Sequence, residues 1–300
     1  MNKENSYNYD DEVDLRELFL AIWDRKILIA FVTSLVAIAS VLYALSLPNV
    51  YSSNALLASA SPEDSLSSKL GGFSSLAGMA GVSIPSASGG KTTEAIERIK
   101  SFDFFVNQFL PNIDYKNLVA VQKWKRDTNT IIYNDDIFDL SIEKPSHQEA
   151  YIIYNGALKI SQDTKTQFVS IGIDHLSPYI AEKWLKVIIQ NINDYMRELD
   201  KTIAQNSIDF LNSSAQKTNL TEIKIVISKL IENQIQILTL AEATKDYVFK
   251  PLSSPFAPEK KSSPSRSRIS VMGTILGFMF SILISLLLNY FKTKKLRDAS

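Results

Sequence analysis

The chain has no cysteine. That excludes a disulfide framework, thiolate chemistry and thiolate-held zinc, without fixing a compartment. Only two histidines occur, His147 and His175, and nothing sets them at metal-ligand spacing. Net charge is missing as well: 32 basic side chains balance 32 acidic ones, which leaves no global field to attract a nucleic acid. There is no G-x-S-x-G elbow and no H-E-x-x-H run. Asp135-Asp136 and Asp174-His175 are acidic clusters near possible turns, and an adjacent Asp-His pair more often begins a helix than forms a dyad. "GGKTT" at 89–93 falls short of a P-loop, because the position that needs the first glycine is Pro85. Thr92 or Thr93 is expected instead to cap the helix that follows. No catalytic, cofactor-binding or metal-binding residue is assigned. Binding or scaffolding fits the composition better than enzymatic activity.

Long apolar stretches are what the sequence does have. Residues 27–47, "ILIAFVTSLVAIASVLYALSL", and residues 269–291, "ISVMGTILGFMFSILISLLLNYF", contain no charge. At about 1.5 Å per residue each reaches across the roughly 30 Å of a bilayer core. A signal peptide is a poor alternative for the first, since its n-region would be long and acidic and no small-residue cleavage site follows. The predicted organisation is a tail at 1–26, a span at 27–47, a large loop at 48–268, a second span at 269–291 and a tail at 292–300. Arg25 and Lys26 abut the first span, and Lys292, Lys294, Lys295 and Arg297 follow the second, so the tails are expected in the cytoplasm and the loop outside it. Lys260, Lys261, Arg266 and Arg268 stand on the outer side of the second span, so the charge rule is met at the first span and divided at the second.

The inner tail repeats Leu15, Leu18, Phe19 and Ile22 at helical spacing, as an amphipathic helix on a membrane surface would. "VYSSNALLASA" after the first span has strand character. Residues 59–93 hold six of the ten glycines, with Leu70, Phe73, Leu76, Met79 and Val82 recurring every third position. A flexible loop and a short element on the membrane or a neighbouring subunit are both open readings. A helix is expected in "TEAIERIKSFDFFVNQFL", another patch near "NLVAVQKW", a β-rich stretch in "TIIYNDDIFDLS", and a third helix in "SHQEAYIIYNGALKIS". In 166–174, Val169, Ile171 and Ile173 alternate as in a half-buried strand. Ser177-Pro178 then opens a long helix with Ala181, Trp184, Leu185, Ile188, Ile192, Tyr195, Leu199 and Ile203 on one stripe.

Polar "NSSAQKTN", 212–219, reads as a kink or hairpin tip before a second periodic segment through Ile223, Ile227, Leu230, Gln234, Ile237 and Ala241. A hairpin of these two segments would rise roughly 50 Å. So long a stripe needs a cover, supplied either by neighbouring copies of the chain or by the two helices themselves. "YVFK", 247–250, is expected to return as a strand. After it come Pro251, Pro255, Pro258 and Pro264, four of ten prolines within fourteen positions. They favour extended geometry, as a stiff strut to the second span would.

These pieces, in this order, resemble the polysaccharide co-polymerases, the Wzz-type chain-length determinants. The likeness is carried by "VDLRELFLAIWDRK", "YSSNALLASA", "LGGFSSLAGMAGV", "ERIKSFDFFVNQFL", "FVSIGIDHLSPYIAEKWLKVII" and "LAEATKDYVFKPLSSPFAPEKKSSPSRSRISVMGTILG". The resemblance implies an α+β, membrane-anchored protein of the Gram-negative inner membrane. Its periplasmic domain would have an α/β base at 48–177 and 246–250, a helical arm at 178–245 and the proline strut at 251–268. The resemblance also implies a ring-like homo-oligomer in contact with membrane lipid, a membrane polysaccharide polymerase and the growing polysaccharide. It implies control of the modal length of a surface polysaccharide such as lipopolysaccharide O-antigen. Family pattern places the strut prolines and the small-residue span motif, here Gly273 and Gly277. The usual basic dipeptide after the last proline is split into Arg266 and Arg268. An adaptor for capsule or exopolysaccharide export, beside an ABC exporter or a separate tyrosine kinase, is the alternative.

Overall fold

Both apolar runs are helices in the computed structural model, which describes residues 23–60, 90–134 and 145–297, with side chains through residue 288. Helix α1 covers Lys26–Ser46 and helix α7 covers Arg266–Arg297. Each contains a stretch of mean hydropathy 2.4 long enough to cross a membrane, Lys26–Ser46 and Arg266–Leu288. The chain divides into two compact units, one of residues up to Asn49 and from Ser263, the other Val50–Ser262. The amphipathic tail with Leu15 to Ile22, the repeat from Leu70 to Val82, and Asp135-Asp136 lie outside the described residues.

The Val50–Ser262 unit is built on a four-stranded antiparallel sheet in the order β4-β5-β1-β6. The strands are β1 (Tyr51–Ser59), β4 (Leu158–Gln162), β5 (Val169–His175) and β6 (Phe249–Ser253). A separate hairpin pairs β2 (Val121–Lys125) with β3 (Thr130–Tyr133). Period-two alternation turns Val169, Ile171 and Ile173 of β5, with Ala55 and Leu57 of β1, toward one core. Helix α5 (Pro178–Lys217) lays Ala181, Trp184, Leu185, Ile188, Ile192 and Met196 on that face.

Helix α2 (Gly90–Lys100) ends at Ser101, which caps a new run of helical turns over 102–112 by accepting from the Phe104 backbone N–H. The expected single helix is therefore two, broken at a serine. The carbonyls left unpaired at the end of α2 are met by the Tyr154 hydroxyl on Ile99 (2.9 Å) and the Tyr151 hydroxyl on Lys100 (2.5 Å). Phe105, Phe109, Tyr154 and Trp184 form a chain of ring contacts, with centroids 5.1, 4.7 and 5.7 Å apart.

Several boundaries differ from the sequence reading. The patch near "NLVAVQKW" is a short helix α3 (Tyr115–Val119) followed by strand β2, because Ala120 closes the helix and Trp124 packs edge-on against Tyr51. Helix α4 (His147–Ala157), opened by a capping box of Ser146 and Glu149, stops at Ala157, and "LKISQ" joins the sheet as edge strand β4. Thr92 and Thr93 lie inside α2 instead of capping it; Thr92 is buried and its hydroxyl donates to Ser59 Oγ at 3.1 Å. Lys91 of "GGKTT" pairs with Asp200 at 3.0 Å and lies over the Tyr247 ring, so its charge serves the fold.

Helix α5 runs unbroken through "NSSAQK" to Lys217, about 60 Å at 1.5 Å per residue, and turns back at 218–220 into α6 (Thr221–Ala243). The turn takes only the last two residues of the polar run, Thr218 and Asn219, with Leu220, since serine, asparagine and lysine on an exposed face do not stop a helix. Ala204, Ile227 and Ala241 are buried between the two helices, and Lys201 bridges to Glu242 at 2.6 Å. Beyond Met196 the expected stripe gives out: Leu199 is half-buried and Ile203 is 53% exposed.

Candidate functional site

The paired spans and the segment leading into the second one hold the residues singled out as the candidate site, except Pro251. Along α1 and α7 the contacts keep an antiparallel register. Thr33 Oγ1 meets Ser281 Oγ at 3.2 Å, Ser40 Oγ donates to the Ile269 carbonyl at 3.1 Å, and Arg25 Nη2 reaches the Leu288 carbonyl at 3.3 Å. Gly273 and Gly277 face α1 at its closest approach. A Cβ on Gly273 would sit 2.1 Å from Ser40 Oγ, and one on Gly277 would sit 2.7 Å from Val36 Cβ. In lipid no hydrophobic effect drives helices together, so close approach, dispersion and hydrogen bonds must do it. The pattern continues past the glycines: Ser281 and Ser285, each four residues further on, are fully buried. Sequence reading stopped at the two glycines, although small residues at 273, 277, 281 and 285 were there to be counted.

Arg266 opens α7. Its Nη2 donates to the Leu47 carbonyl at 3.2 Å and to Asn49 Oδ1 at 3.1 Å, which ties the start of the second span to the end of the first. The Leu47 carbonyl is one of the orphans of a helix C-terminus, and a guanidinium is a strong donor for it. Arg268 is exposed.

The prolines are divided. Pro251 lies within β6 and pairs with Leu57, so it is not in the strut where the sequence reading begins it. An edge strand tolerates a residue without an N–H. Pro255 and Pro258 belong to the segment after β6, and Pro264 to its continuation beyond Ser263. That segment is tied laterally to the start of β1: Ser53 Oγ donates to the Phe256 carbonyl (2.8 Å), the Ser52 N–H to Ser262 Oγ (3.0 Å) and the Ser262 N–H to the Val50 carbonyl (2.8 Å).

Two polar residues of the sheet unit hold backbone groups in its core, Asn193, which the sequence reading missed, and His175, which it weighed only as half of an Asp-His pair. Asn193 sits among the apolar residues of α5, buried at 4% exposure. Its Oδ1 accepts from the N–H groups of Val248 and Phe249, both at 2.8 Å, and its Nδ2 donates to the Phe249 carbonyl at 2.9 Å. One amide thus fixes the point where the chain returns from the arm to the sheet. An asparagine beside Ile192 on a core stripe was the available sign. His175 ends β5 edge-on to Trp184, its Nδ1 accepting from the Ser177 N–H (2.9 Å) and its Nε2 facing the Asn117 carbonyl (2.9 Å). That arrangement wants a neutral ring with the proton on Nε2, and burial pushes its pKa down. Asp174, on the opposite face of the strand, pairs with Lys159, so the two neighbours form no dyad. Among the described residues no group of three or more His, Cys, Asp or Glu side chains is arranged to hold a metal.

A mixed helix-and-sheet unit, long helices, and two apolar helices long enough to span a bilayer define a membrane-anchored α+β protein. Residues 11–105 match the family model of Wzz, chain length determinant protein. The matched residues run from the N-terminal tail through α1 and β1 into the helical turns after α2. No curated protein matches the chain. Among solved structures, the chain is similar to a full-length bacterial polysaccharide co-polymerase, with 13% identity, 93% of this chain and 99% of that one covered, and a TM-score of 0.41. It is also similar to a fragment of WzzB, polysaccharide co-polymerase from Salmonella Typhimurium, with 16% identity, 72% and 100% covered, and a TM-score of 0.34.

Proposed function

We propose that this protein sets the modal chain length of a surface polysaccharide, lipopolysaccharide O-antigen, made by a separate polymerase in the inner membrane of a Gram-negative cell. It acts as a regulator without catalysing bond formation. Its tails are cytoplasmic, and residues 48–268 form the periplasmic determinant domain, with the base and arm assigned from the sequence and the strut beginning after β6. The observation that carries this reading is the Wzz match over residues 11–105. The homo-oligomer is supported by apolar side chains left exposed on the arm, among them Phe210, Leu220, Ile225 and Val226, which neighbouring copies would cover.

Gel profiling of surface polysaccharide from a deletion strain tests the reading. Polymer is expected to persist, because a regulator is not required for the glycosidic bond, but its lengths are expected to spread. Complete loss of polymer with precursor accumulating would assign an enzyme or an exporter component instead.

A further inference from the structure

One side of the span pair carries a groove of about 450 Å³ lined by Trp23, Lys26, Ala30, Ala37, Thr274 and Phe278, among others. Its lining on α1 runs from Lys26 to Ala37, about 16 Å at 1.5 Å per residue. Half of a roughly 30 Å hydrocarbon core is about 15 Å, so the groove is one leaflet deep. Two of the three hydroxyls along it are engaged, Thr33 with Ser281 and Thr274 with the Ser270 carbonyl, and Ile29, Ala30, Ala37 and Phe278 make the rest of the floor largely apolar. Its mouth is cationic and aromatic: Lys26 Nζ stands 4.9 Å from the centre of the Trp23 ring, with Arg25 beside it. The C-terminal sequence brings Lys292, Lys294, Lys295 and Arg297 after the second span, and Asp24 is the only acid between Trp23 and Lys26.

We infer that this groove is a binding site for an anionic phospholipid of the leaflet at the N-terminal end of α1, one acyl chain lying between the spans and the phosphate held by Lys26 at the mouth. Three features select that occupant. The depth matches a single chain, where a helix from a second copy would need a groove running the full span. The floor is largely apolar, with Ile29, Ala30, Ala37 and Phe278 beside the single Ser34 hydroxyl that no helix contact engages. The charge at the mouth complements a phosphate, and Lys or Arg near an anionic leaflet contributes on the order of 1 kcal/mol each. The inference rests on α1 and α7 being membrane spans and does not depend on chain-length control.

The full chain is reconstituted in nanodiscs of phosphatidylcholine with a minor fraction of phosphatidylglycerol, extracted gently, and its retained lipid measured by native mass spectrometry. Wild type is expected to retain phosphatidylglycerol above its share of the bilayer. Lys26→Ala is expected to lower that retention about five-fold, and Ala30→Trp, which fills the groove, to abolish it while leaving insertion intact. Equal retention of the two lipids, or a preference unchanged in both variants, overturns the site. The cysteine-free chain permits a second measurement, since Ala30→Cys introduces the sole thiol. Efficient Ala30→Cys crosslinking between copies would show a neighbour's span in the groove and overturn the lipid as occupant; its absence supports the lipid. Polysaccharide profiles do not enter either readout, so failure here is distinct from failure of the chain-length reading.

Discussion

The sheet unit and the span pair are closed by opposite means. In the sheet unit, large side chains fill the space: Phe105, Phe109, Tyr154 and Trp184 touch ring to ring under the sheet. In the span pair, side chains are removed from the contact, and Gly273, Gly277, Ser281 and Ser285 let α1 approach. The solvent explains the difference. In water, burying aromatic area lowers the free energy and the core grows by volume. In lipid, apolar surface outside is as well solvated as apolar surface inside, so what remains is proximity and hydrogen bonding. Polar groups follow the same division. Asn193 is useful in the sheet unit because it meets three backbone groups that water no longer reaches, whereas Thr33 and Ser40 join helices that have no other glue.

The largest effect expected from breaking this contrast is at Asn193. Asn193→Leu keeps the volume near that of the neighbouring core but strands two N–H groups and one carbonyl at β6, at about 1–3 kcal/mol for each group left unpaired. Urea melts of a purified variant are expected to lose several kcal/mol at unchanged m-value, and an unchanged midpoint would show that water replaces the amide.

Next is the contact between spans. Replacing Gly273 and Gly277 with Leu puts side chains where Ser40 and Val36 already stand, so the helices must separate. With Thr33→Cys and Ser281→Cys added to the cysteine-free chain, oxidation is expected to crosslink the two spans in the parent background and to fail once both leucines are present. Equal crosslinking in the two backgrounds would remove the glycines from the account of packing.

Smaller, and directional, is the response to acid at His175. Its folded pKa lies below the ordinary histidine value because burial disfavours the charged ring. Above pH about 6.5 both folded and unfolded chains hold a neutral imidazole, and the site's contribution is complete. As pH falls below that, the unfolded chain binds the proton first, so stability declines until the lowered folded pKa is passed. Thermal melts between pH 7.5 and 5 are expected to show this decline, and His175→Gln, though less stable at neutral pH, is expected to show a flatter one. Parallel slopes in both proteins would assign the acid response elsewhere.

The parts legible in the sequence were those set by one local period. Both spans follow from uncharged length, β1 and β5 from strand character and alternation, and the first turns of α5 from a stripe that holds through Ile192, although its expected continuation to Ile203 is not buried. What the sequence hid depends on partners distant along the chain. The restart at Ser101 is supported by hydroxyls from Tyr151 and Tyr154, some fifty residues later. The conversion of "LKISQ" from helix to strand depends on β5, and the end of α5 at Lys217 on no breaker residue at all. Of the candidate site, the glycines could be read from spacing, but which helix they face could not. The prolines could be counted, but the backbone ties that run beside them could not be foreseen.

Those ties sharpen the smallest expected effect. A segment made stiff by proline alone should soften when the prolines are lost; one held by hydrogen bonds to β1 should not. Pro255, Pro258 and Pro264→Ser removes the restriction on φ and gains unfolded-state entropy, about 0.4–1 kcal/mol per position at most. Ser53→Ala with Ser262→Ala removes the two hydroxyls that join the segment to β1, one donating to the Phe256 carbonyl and the other accepting from the Ser52 N–H, and leaves the prolines in place. Both proteins are expected to insert normally, since neither change touches α1 or α7. If stiffness is what the segment supplies to chain-length control, the proline variant broadens the polysaccharide length distribution at matched protein level and the serine variant does so less. If lateral attachment is what counts, the order reverses. A wild-type profile from both would mean that the segment only joins β6 to α7, and that the proline cluster marks the end of a strand.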